Sequence, residues 1–328
     1  MRGCVLTLVA GGAGFLGSHL VDALVARDDE VIIVDDLSSG SLGNIDNALR
    51  SGRASFVYLD IAQPLRQIRE PIIRAARDGQ ISQIYHFASP ASPDDCEARP
   101  WETLCANAIG TMALIDLAIE QRSRLIYAST SEIYGDPLVH PQPETYFGNV
   151  DPIGPRACYN EGKRFGEAAI SVAIARRGLD AKIVRFFNCY GPRMSHASGR
   201  LISALSEAVL AGLPFPIHGD GRQTRSMTYV GDAIRLLLIV ANTPRSELAP
   251  VNIGSDEERT VLEIAQAFAR VAGAPFAIKT LPPRPAEPQR RRPDLTRARS
   301  LGYVPQTTLD EGLASTIAWM RESVGAYV

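Results

Sequence analysis

The 328-residue sequence predicts an α/β protein built on a doubly wound parallel sheet, followed by a smaller, mixed α/β C-terminal domain. Two observations predict this fold class. Short apolar runs of strand length alternate with helix-length segments through the first 190 residues, which is typical of parallel strands joined by helical crossovers. Beyond about residue 191 the alternation loosens, and proline and glycine become frequent.

Each apolar run that we assign to the sheet is short and nearly continuous, as expected for a strand buried on both faces. The predicted strands cover residues 4–10, 30–35, 55–60, 83–88, 124–129 and 181–187. The predicted helices cover residues 15–26, 101–121 and 159–177. The first of these helices is marked by Leu16, Leu20 and Leu24, which recur at helical spacing.

A glycine-rich turn, GGAGFLG, joins the first strand to the first helix. Gly11 and Gly14 allow the backbone to turn tightly and to approach a pyrophosphate, and Gly17 allows the helix to pack close to the sheet. The N–H groups of the helix N-terminus suit phosphates. Asp35 ends the second strand at the spacing of a ribose-binding acid, so the sequence predicts a Rossmann-like dinucleotide site. Asp35 and Asp36 favour NAD over NADP, because carboxylates repel a 2′-phosphate.

The domain prediction follows from these patterns. Residues 1–190, with about 228–256, form the NAD-binding domain. Residues from about 191 to 227 and from 257 to 328 form a smaller domain that closes over the site. Asp60, after the third strand, is either an adenine contact or a solvated acid at a strand end.

Charge and cysteine content exclude several classes of function. The 34 Lys+Arg and 36 Asp+Glu give a formal charge of −2, whereas a nucleic-acid or membrane-surface binder needs a basic excess. Five scattered cysteines without a C-x-x-C spacing predict neither a disulfide framework nor a zinc site. The first apolar run ends at Gly11, too early for a signal peptide. We therefore expect a cytoplasmic protein with no metal and no membrane span.

Tyr159 and Lys163 lie four residues apart on a predicted helix, so their side chains share a face. A lysine beside a tyrosine favours the phenolate and is expected to lower its pKa toward neutrality. Tyr159 is then a candidate general base for a hydroxyl. Ser129, Thr130 and Ser131 end the preceding strand and offer hydroxyls to the same oxygen. The alternative is that the two residues lie on an ordinary solvated helix face and have no catalytic role.

With these residues in place, the chain resembles the extended short-chain dehydrogenase/reductase family over nearly its whole length. Within it, the sequence is most similar to the UDP-glucuronate decarboxylases. The strings that carry this resemblance are TSEIYGDP, HPQPETY, GPRACYNEGKR, FNCYGPRM, GRQTRSMTYVGD and PQRRRPD.

The resemblance implies a UDP-uronic acid substrate and a tightly bound, recycled NAD. Tyr159 would take the proton of the sugar 4-hydroxyl, Lys163 would hold the cofactor ribose and tune Tyr159, and Thr130 would hydrogen-bond the 4-oxygen. Glu132 and Arg291 would act near C5 and the carboxylate. The 4-ketone lies beta to that carboxylate, so CO2 is lost readily, and reprotonation and return of hydride give UDP-xylose.

The resemblance also implies further contacts. Cofactor contacts would come from Phe15, Leu16, Asp60, Ile61, Ala88 and Asn107. Substrate contacts would come from Ser89, Asn188, Arg200, Arg225 and Tyr229, although Tyr229 is equally well explained as a core residue. The resemblance further implies a homodimer formed through the helices at 101–121 and 159–177.

The sequence leaves rival functions open. Ala10, Phe147 and Asn160 depart from the family pattern, which leaves the identity of the substrate open. A UDP-glucuronate 4-epimerase would share most of the site, but it has no use for Glu132 facing the substrate carboxylate, since like charges repel. A nucleotide-sugar 4,6-dehydratase is a second rival, and a non-catalytic NAD-binding scaffold is a third.

Overall fold

We describe the protein from a computed structural model, which describes residues 5–77, 79–195, 198–244, 249–283 and 289–325. Cys4, at the start of the first predicted strand, and Pro288, in the PQRRRPD string, lie outside these ranges. The described strands are β1 Leu6–Ala10, β2 Glu30–Asp35, β3 Ala54–Tyr58, β4 Gln83–His86, β5 Arg124–Thr130, β6 Asp180–Phe186, β7 Cys189–Tyr190, β8 Phe215–His218, β9 Thr224–Ser226, β10 Thr228–Tyr229, β11 Val251–Ile253, β12 Glu258–Thr260, β13 Ile278–Leu281 and β14 Arg290–Arg291.

The described helices alternate with these strands through the first half of the chain. They are α1 Phe15–Val25, α2 Asp46–Arg50, α3 Leu65–Ala76, α4 Pro93–Ala98, α5 Pro100–Cys105, α6 Thr111–Gln121, α7 Ala157–Arg177, α8 Leu201–Ala211, α9 Val230–Ala241, α10 Val261–Ala272, α11 Thr296–Ser300 and α12 Leu309–Gly325. A π-helical turn, Ala106–Gly110, joins α5 to α6, and 3-10 turns cover Leu42–Asn44 and Ser131–Tyr134.

Seven parallel strands form the main sheet, in the spatial order β11-β6-β5-β4-β1-β2-β3. The predicted fold class is therefore confirmed, and all six predicted strands are present. The chain runs outward from β1 to β3 and then returns to place β4 on the other side of β1. Ligands bind in such sheets where the strand order reverses, at the carboxyl ends of the strands.

Side chains of alternating direction cover the two faces of the sheet. Leu8 and Ile32 pack with the helices α3, α6 and α7, whereas Val9 and Ile33 pack with α1 and α9. Both sets are almost entirely removed from solvent. The strands are therefore the two-sided apolar core that their continuous apolar runs predict.

A third apolar cluster lies outside the main sheet and is built by α8, α10 and α12 with β8. Small two- and three-stranded sheets, β10-β7, β12-β9-β14 and β13-β8, flank it. β11 joins the main sheet, within the segment that the sequence assigns to the first domain. Leu295, Ala298 and Tyr303 also pack with the main-sheet cluster, although the sequence assigns residues 257–328 to the second domain. The domain boundaries themselves stay a prediction.

One helical stretch bears on the expectation that the chain has no membrane span. Pro100–Gln121 is 22 residues long, and its most apolar 18-residue window has a mean hydropathy of 1.3, enough by length and composition to cross a membrane. Of its most apolar window, 56% is buried inside the protein, and core helices of soluble proteins meet the same criterion. This stretch packs on α3 and α7 and belongs to the core.

Candidate active site

The glycine loop lies where the strand order reverses, between the carboxyl ends of β1 and β4. Gly11 adopts φ +79°, and a Cβ there would stand 2.5 Å from the Ala88 nitrogen. A Cβ on Gly17 would stand 2.0 Å from the Gly11 carbonyl oxygen, so α1 packs directly on the loop. Gly14 precedes α1 and faces open space apart from the Gly11 oxygen, 3.4 Å from its ideal Cβ. Two glycines thus shape the loop, and the third leaves room beside it.

The first turn of α1 presents backbone N–H groups into that room. Phe15, Leu16 and Gly17 are its first three residues, whose N–H groups have no partner within a helix. No side chain caps this helix, and its first turn holds no acid. A positive helix end with an open approach fits the pyrophosphate of a dinucleotide.

Asp35 connects the glycine loop to the end of β2. Its carboxylate accepts hydrogen bonds from the Ala13 nitrogen at 2.9 Å and the Leu37 nitrogen at 2.8 Å. Burial raises the pKa of Asp35, against the lowering effect of these two bonds. Asp36 lies beside it and accepts from the Ser38 nitrogen. Both acids therefore lie where the sequence places a ribose-binding pair.

The residues after β3 divide into one exposed and one buried side chain. Asp60 is exposed and accepts from the Ala62 nitrogen at 2.8 Å. Ile61 is buried and packs under Gly110, whose ideal Cβ would stand 2.6 Å from it. An adenine contact at Asp60 stays a prediction.

Tyr159 and Thr130 meet at the carboxyl end of β5. Thr130 ends β5 and caps the following 3-10 turn by accepting from the Glu132 nitrogen. Its hydroxyl lies close enough to the phenol to lower the pKa of Tyr159 in part. Both side chains are 7% exposed. The structure therefore brings together the tyrosine and the threonine that the sequence assigns to the substrate 4-oxygen.

Lys163 lies one turn beyond Tyr159 on α7 and is 2% exposed. Its ammonium donates to the Ala128 carbonyl at 2.8 Å and stands 5.9 Å from the Tyr159 ring centroid. Burial lowers the pKa of Lys163 to about 7 and raises the pKa of Tyr159 to about 12, although Thr130 lowers the latter in part. The expectation that Lys163 brings the phenol pKa toward neutrality is wrong for the protein alone, because burial raises that pKa and Lys163 is not among the groups that act on it most strongly.

The π-helical turn places Asn107 beneath the site, a distortion that the sequence did not reveal. Asn107 is fully buried and donates to the Ser89 hydroxyl at 3.0 Å and the Thr103 carbonyl at 2.9 Å. Among the described residues its Oδ1 has no hydrogen-bond partner. Single π-turns often occur at functional sites. Ala88 and Ser89, which follow β4, connect this turn to the glycine loop.

Glu132 lies between two guanidinium groups. Arg291 Nη1 donates to its Oε1 at 2.6 Å, and Arg156 Nε stands 3.6 Å from its Oε2. Burial alone raises the pKa of Glu132, but Arg291, Arg156 and Arg225 together bring it down to about 2. The sequence predicted Glu132 and Arg291 at this site. It missed Arg156, which precedes α7 and stands over the Tyr159 ring at 5.8 Å.

Strand pairing in the C-terminal domain brings Arg225 beside Arg291, and Arg200 also lies near the site. Arg291 is the register partner of Arg225 in the parallel pair of β14 and β9. Arg225 is 7% exposed and donates to the Thr224 carbonyl. Arg200, which precedes α8, is close enough to act electrostatically on Tyr159. These cations give the site the charge that an anionic nucleotide needs.

The two other predicted substrate residues have different surroundings. Asn188 has a buried Oδ1 without a hydrogen-bond partner among the described residues, as expected for a ligand contact. Tyr229 packs edge-to-face on Tyr190, at 5.9 Å between centroids, between two apolar clusters. Its surroundings are those of a core residue, and a UDP contact there stays a prediction. Within the described ranges, no group of three or more His, Cys, Asp or Glu side chains is arranged to hold a metal.

Comparisons with known proteins agree with the fold and with the dinucleotide site. Residues 7–254 match the model of the NAD dependent epimerase/dehydratase family. A UDP-glucuronic acid decarboxylase 1 of Danio rerio is 40% identical over 318 residues, which cover 97% of this chain and 73% of that protein. The UDP-glucose 4-epimerase of Thermotoga maritima, solved with UDP-glucose, superposes with a TM-score of 0.87 at 29% identity, covering 98% and 100% of the two chains. The UDP-glucuronic acid 4-epimerase of Bacillus cereus, solved with UDP-glucuronic acid and NAD, gives 0.85 at 26% identity, covering 97% and 100%.

Proposed function

This chain belongs to the NAD-dependent epimerase/dehydratase family, and within that family we propose that it decarboxylates UDP-glucuronate to UDP-xylose. The observation that carries the proposal is the position of Glu132. This acid lies beside Tyr159 and Thr130, held by Arg291 and Arg156, where a substrate oxidised at C4 would place its carboxylate. The decarboxylase resemblance over nearly the whole chain supports the same reaction.

Three side chains of the site handle the sugar 4-hydroxyl. Tyr159 takes the hydroxyl proton. Thr130 hydrogen-bonds the same sugar oxygen, because its hydroxyl lies beside the phenol. Lys163 lies below them, where it orients the cofactor ribose and, when charged, favours the phenolate. NAD bound along the glycine loop supplies the oxidation at C4 and its later reversal. The 4-ketone that results lies beta to the C6 carboxylate.

The second half of the site acts on that carboxylate. Arg291 binds it through a guanidinium that suits two carboxylate oxygens. Loss of CO2 transfers the electrons of the C5–C6 bond into the 4-keto group as an enolate. C5 then takes a proton from a water near Glu132, which restores the 4-ketone. As C4 is reduced, the 4-oxygen takes back the proton held by Tyr159. Reduction at C4 completes UDP-xylose.

A UDP-glucuronate 4-epimerase is the second candidate. It also needs a site for a uronate, and one such enzyme superposes closely on this chain. Glu132 favours the decarboxylase, because a carboxylate placed against the substrate carboxylate weakens binding unless it takes part in the reaction.

Incubation of the purified protein with UDP-glucuronate, followed by NMR of the sugar products, tests the proposal. UDP-xylose with an equal amount of CO2 is the expected result. UDP-galacturonate would assign the chain to the epimerases, and no turnover with added NAD would contradict both functions.

We also propose that the protein is a homodimer that pairs through the helical stretch at 100–121 and α7. These helices carry large apolar side chains that solvent reaches, including Trp101 at 71% and Val172 at 61% exposure. A second copy of the chain is a better partner for this surface than a membrane, because charged residues such as Arg176 and Arg177 interrupt it. Light scattering after gel filtration is expected to give twice the chain mass; a single-chain mass would contradict the dimer.

We propose a reducing, cytoplasmic location, which the free cysteines Cys96, Cys105, Cys158 and Cys189 support. Fractionation of the source cells with an antibody to the protein tests this location. Recovery of the protein in a membrane or secreted fraction would contradict it.

A further inference from the structure

Arg156 takes no part in the proposed reaction steps, yet its guanidinium lies close to both Glu132 and Tyr159. It stands directly before α7, where the carbonyl of Arg156 accepts from the nitrogens of Tyr159 and Asn160. Its guanidinium is 5.8 Å from the Tyr159 ring centroid and 3.6 Å, at Nε, from Glu132 Oε2. Nε is buried and has no hydrogen-bond partner among the described residues. An arginine nitrogen that is both buried and unpartnered calls for a partner that arrives with the substrate or during the reaction.

Arg291 is the cation that is hydrogen-bonded to Glu132, and the substrate carboxylate competes for it. In this structure Arg291 Nη1 gives its short bond to Glu132, at 2.6 Å. The proposed function requires the same guanidinium to receive the uronate carboxylate. When Arg291 divides its hydrogen bonds in this way, Glu132 lies beside a second carboxylate. Two carboxylates in one site do not both stay ionised unless a further cation compensates.

Arg156 is placed to be that cation. It approaches Oε2, the carboxylate oxygen that Arg291 leaves unbonded. The two arginines come from different elements, since Arg156 precedes α7 and Arg291 lies in β14. The distance of 3.6 Å is an ion pair without a hydrogen bond, and it closes to a hydrogen bond with a small movement of a long side chain.

We infer that Arg156 is a positioning residue, which holds Glu132 ionised and in place while Arg291 binds the substrate carboxylate. The inference rests on the proposed function, because it needs a substrate that carries a carboxylate. The charged or titratable groups that face Glu132 are Arg291 of β14, Arg225 of β9, Arg156 before α7, Tyr159 of α7 and Cys96 of α4. Arg225 acts on Glu132 less strongly than the other two arginines, so it does not replace Arg156.

Proton uptake on substrate binding tests this role without relying on turnover. Tyr159→Phe is used as the parent, since it removes the base and allows UDP-glucuronate to bind without reacting. Calorimetric titration near pH 6, in two buffers of different ionisation enthalpy, gives the number of protons taken up. We expect almost none for the parent, and roughly one for Tyr159→Phe with Arg156→Gln, because Glu132 is then protonated as the uronate arrives.

Three comparisons connect the proton to Glu132 and to charge. UDP-glucose has no carboxylate, so its binding should take up no proton in either variant. Adding Glu132→Gln should abolish the uptake, and Arg156→Lys, which keeps the charge, should largely prevent it. Arg74→Gln, which removes an exposed arginine on α3, is the matched control and should behave as the parent.

The outcomes separate this inference from the function on which it rests. Equal proton uptake with and without Arg156 would overturn the positioning role, while UDP-xylose formation by the wild-type protein would leave the proposed function standing. An Arg156→Gln variant that no longer binds UDP-glucose would also overturn it, because Arg156 would then be needed for the fold of the site. In the active protein, the acid limb of the kcat–pH profile should move up by roughly one unit or more in Arg156→Gln.

Discussion

Tyr159 is the residue on which the proposed reaction depends most, because it is the general base. Its phenol is buried and has a raised pKa. Its pKa of about 12 means that the proton stays on the oxygen until substrate and cofactor change its surroundings. Tyr159→Phe keeps the ring and its packing but removes the hydroxyl. We expect kcat to fall by about 10²–10⁴-fold, as is typical when a general base is lost. Single-turnover assays with UDP-glucuronate measure this, and activity within tenfold of wild type would remove the base assignment.

Lys163 illustrates a conflict between stability and activity at a single residue. Its ammonium is 2% exposed, and burial lowers its pKa to about 7, so the folded protein holds the charged form at a cost below that pH. The unfolded chain keeps its proton up to about pH 10.4, so this group makes the protein more stable as pH rises from about 7 toward that value. Lys163→Met removes the buried amine and keeps a chain of similar length.

We therefore expect Lys163→Met to raise the thermal midpoint of the cofactor-free protein at pH 6, and to raise it less at pH 9. The kcat of Lys163→Met should fall by about two orders of magnitude or more. Thermal unfolding at both pH values is the measurement. A lower midpoint at pH 6 would show that the bond from Lys163 to Ala128 outweighs the cost of burying the charge.

At this scale the sequence predicted which residues take part, but not their surroundings. Thr130 and Glu132 lie at the carboxyl end of β5, and α7 and β14 bring Tyr159 and Arg291 to them. Arg156 was missed, since nothing in its neighbourhood in the chain shows that it turns toward Glu132. The direction of the Tyr159 pKa shift was also wrong, because depth of burial depends on the packing of distant segments.

The glycine loop allows cofactor binding and folding to be separated within one element. A Cβ at Gly14 meets only the Gly11 oxygen at 3.4 Å, and the position has φ −77°, which any residue adopts. Gly14→Ala should therefore fold with a thermal midpoint within a few degrees of wild type, yet bind NAD at least tenfold more weakly, because the methyl group occupies the room beside α1. Gly17→Ala should lose stability as well, since its Cβ would stand 2.0 Å from the Gly11 oxygen.

Gly43→Ala is the matched control for these two substitutions. Its Cβ would lie 3.5 Å from the Ser41 hydroxyl, outside the cofactor loop. Thermal unfolding with and without NAD, together with fluorescence titration of NADH, distinguishes the three variants. Unchanged NADH affinity in Gly14→Ala would contradict the assignment of this turn to the pyrophosphate.

The strands β1 to β6 were predictable because each is a short, nearly continuous apolar run. The six predicted strands are recovered with ends that shift by one or two residues, as continuous apolar runs allow. The π-turn at 106–110 was not predictable, since a single inserted residue barely changes helical spacing. The short strands β9 and β14 were also missed, because two or three residues carry no pattern. Their pairing alone brings Arg225 and Arg291 together.

At the scale of the whole molecule, the topology decides which part of the chain supplies which residues of the site. The carboxyl end of the main sheet holds the glycine loop and Thr130, and α7 beside it carries Tyr159. Strands β9 and β14 of the smaller domain supply Arg225 and Arg291. The near-zero net charge of the chain therefore conceals a local excess of arginine at the site. A site assembled from both parts depends on their relative position. A dimer interface that includes α7 would stabilise the helix that carries Tyr159.

The dimer prediction is tested by placing a charge on the exposed apolar surface of the helix that begins at residue 100. Trp101 is 71% exposed, so Trp101→Glu removes little from the monomer core, but it would bury a carboxylate in the proposed interface. We expect a shift from dimer to monomer at micromolar concentration, with the secondary structure unchanged. Tyr58→Glu is the control, because Tyr58 has the same 71% exposure but lies on β3, at the far edge of the sheet. Gel filtration with light scattering measures the mass, and a dimer that survives Trp101→Glu would place the interface elsewhere.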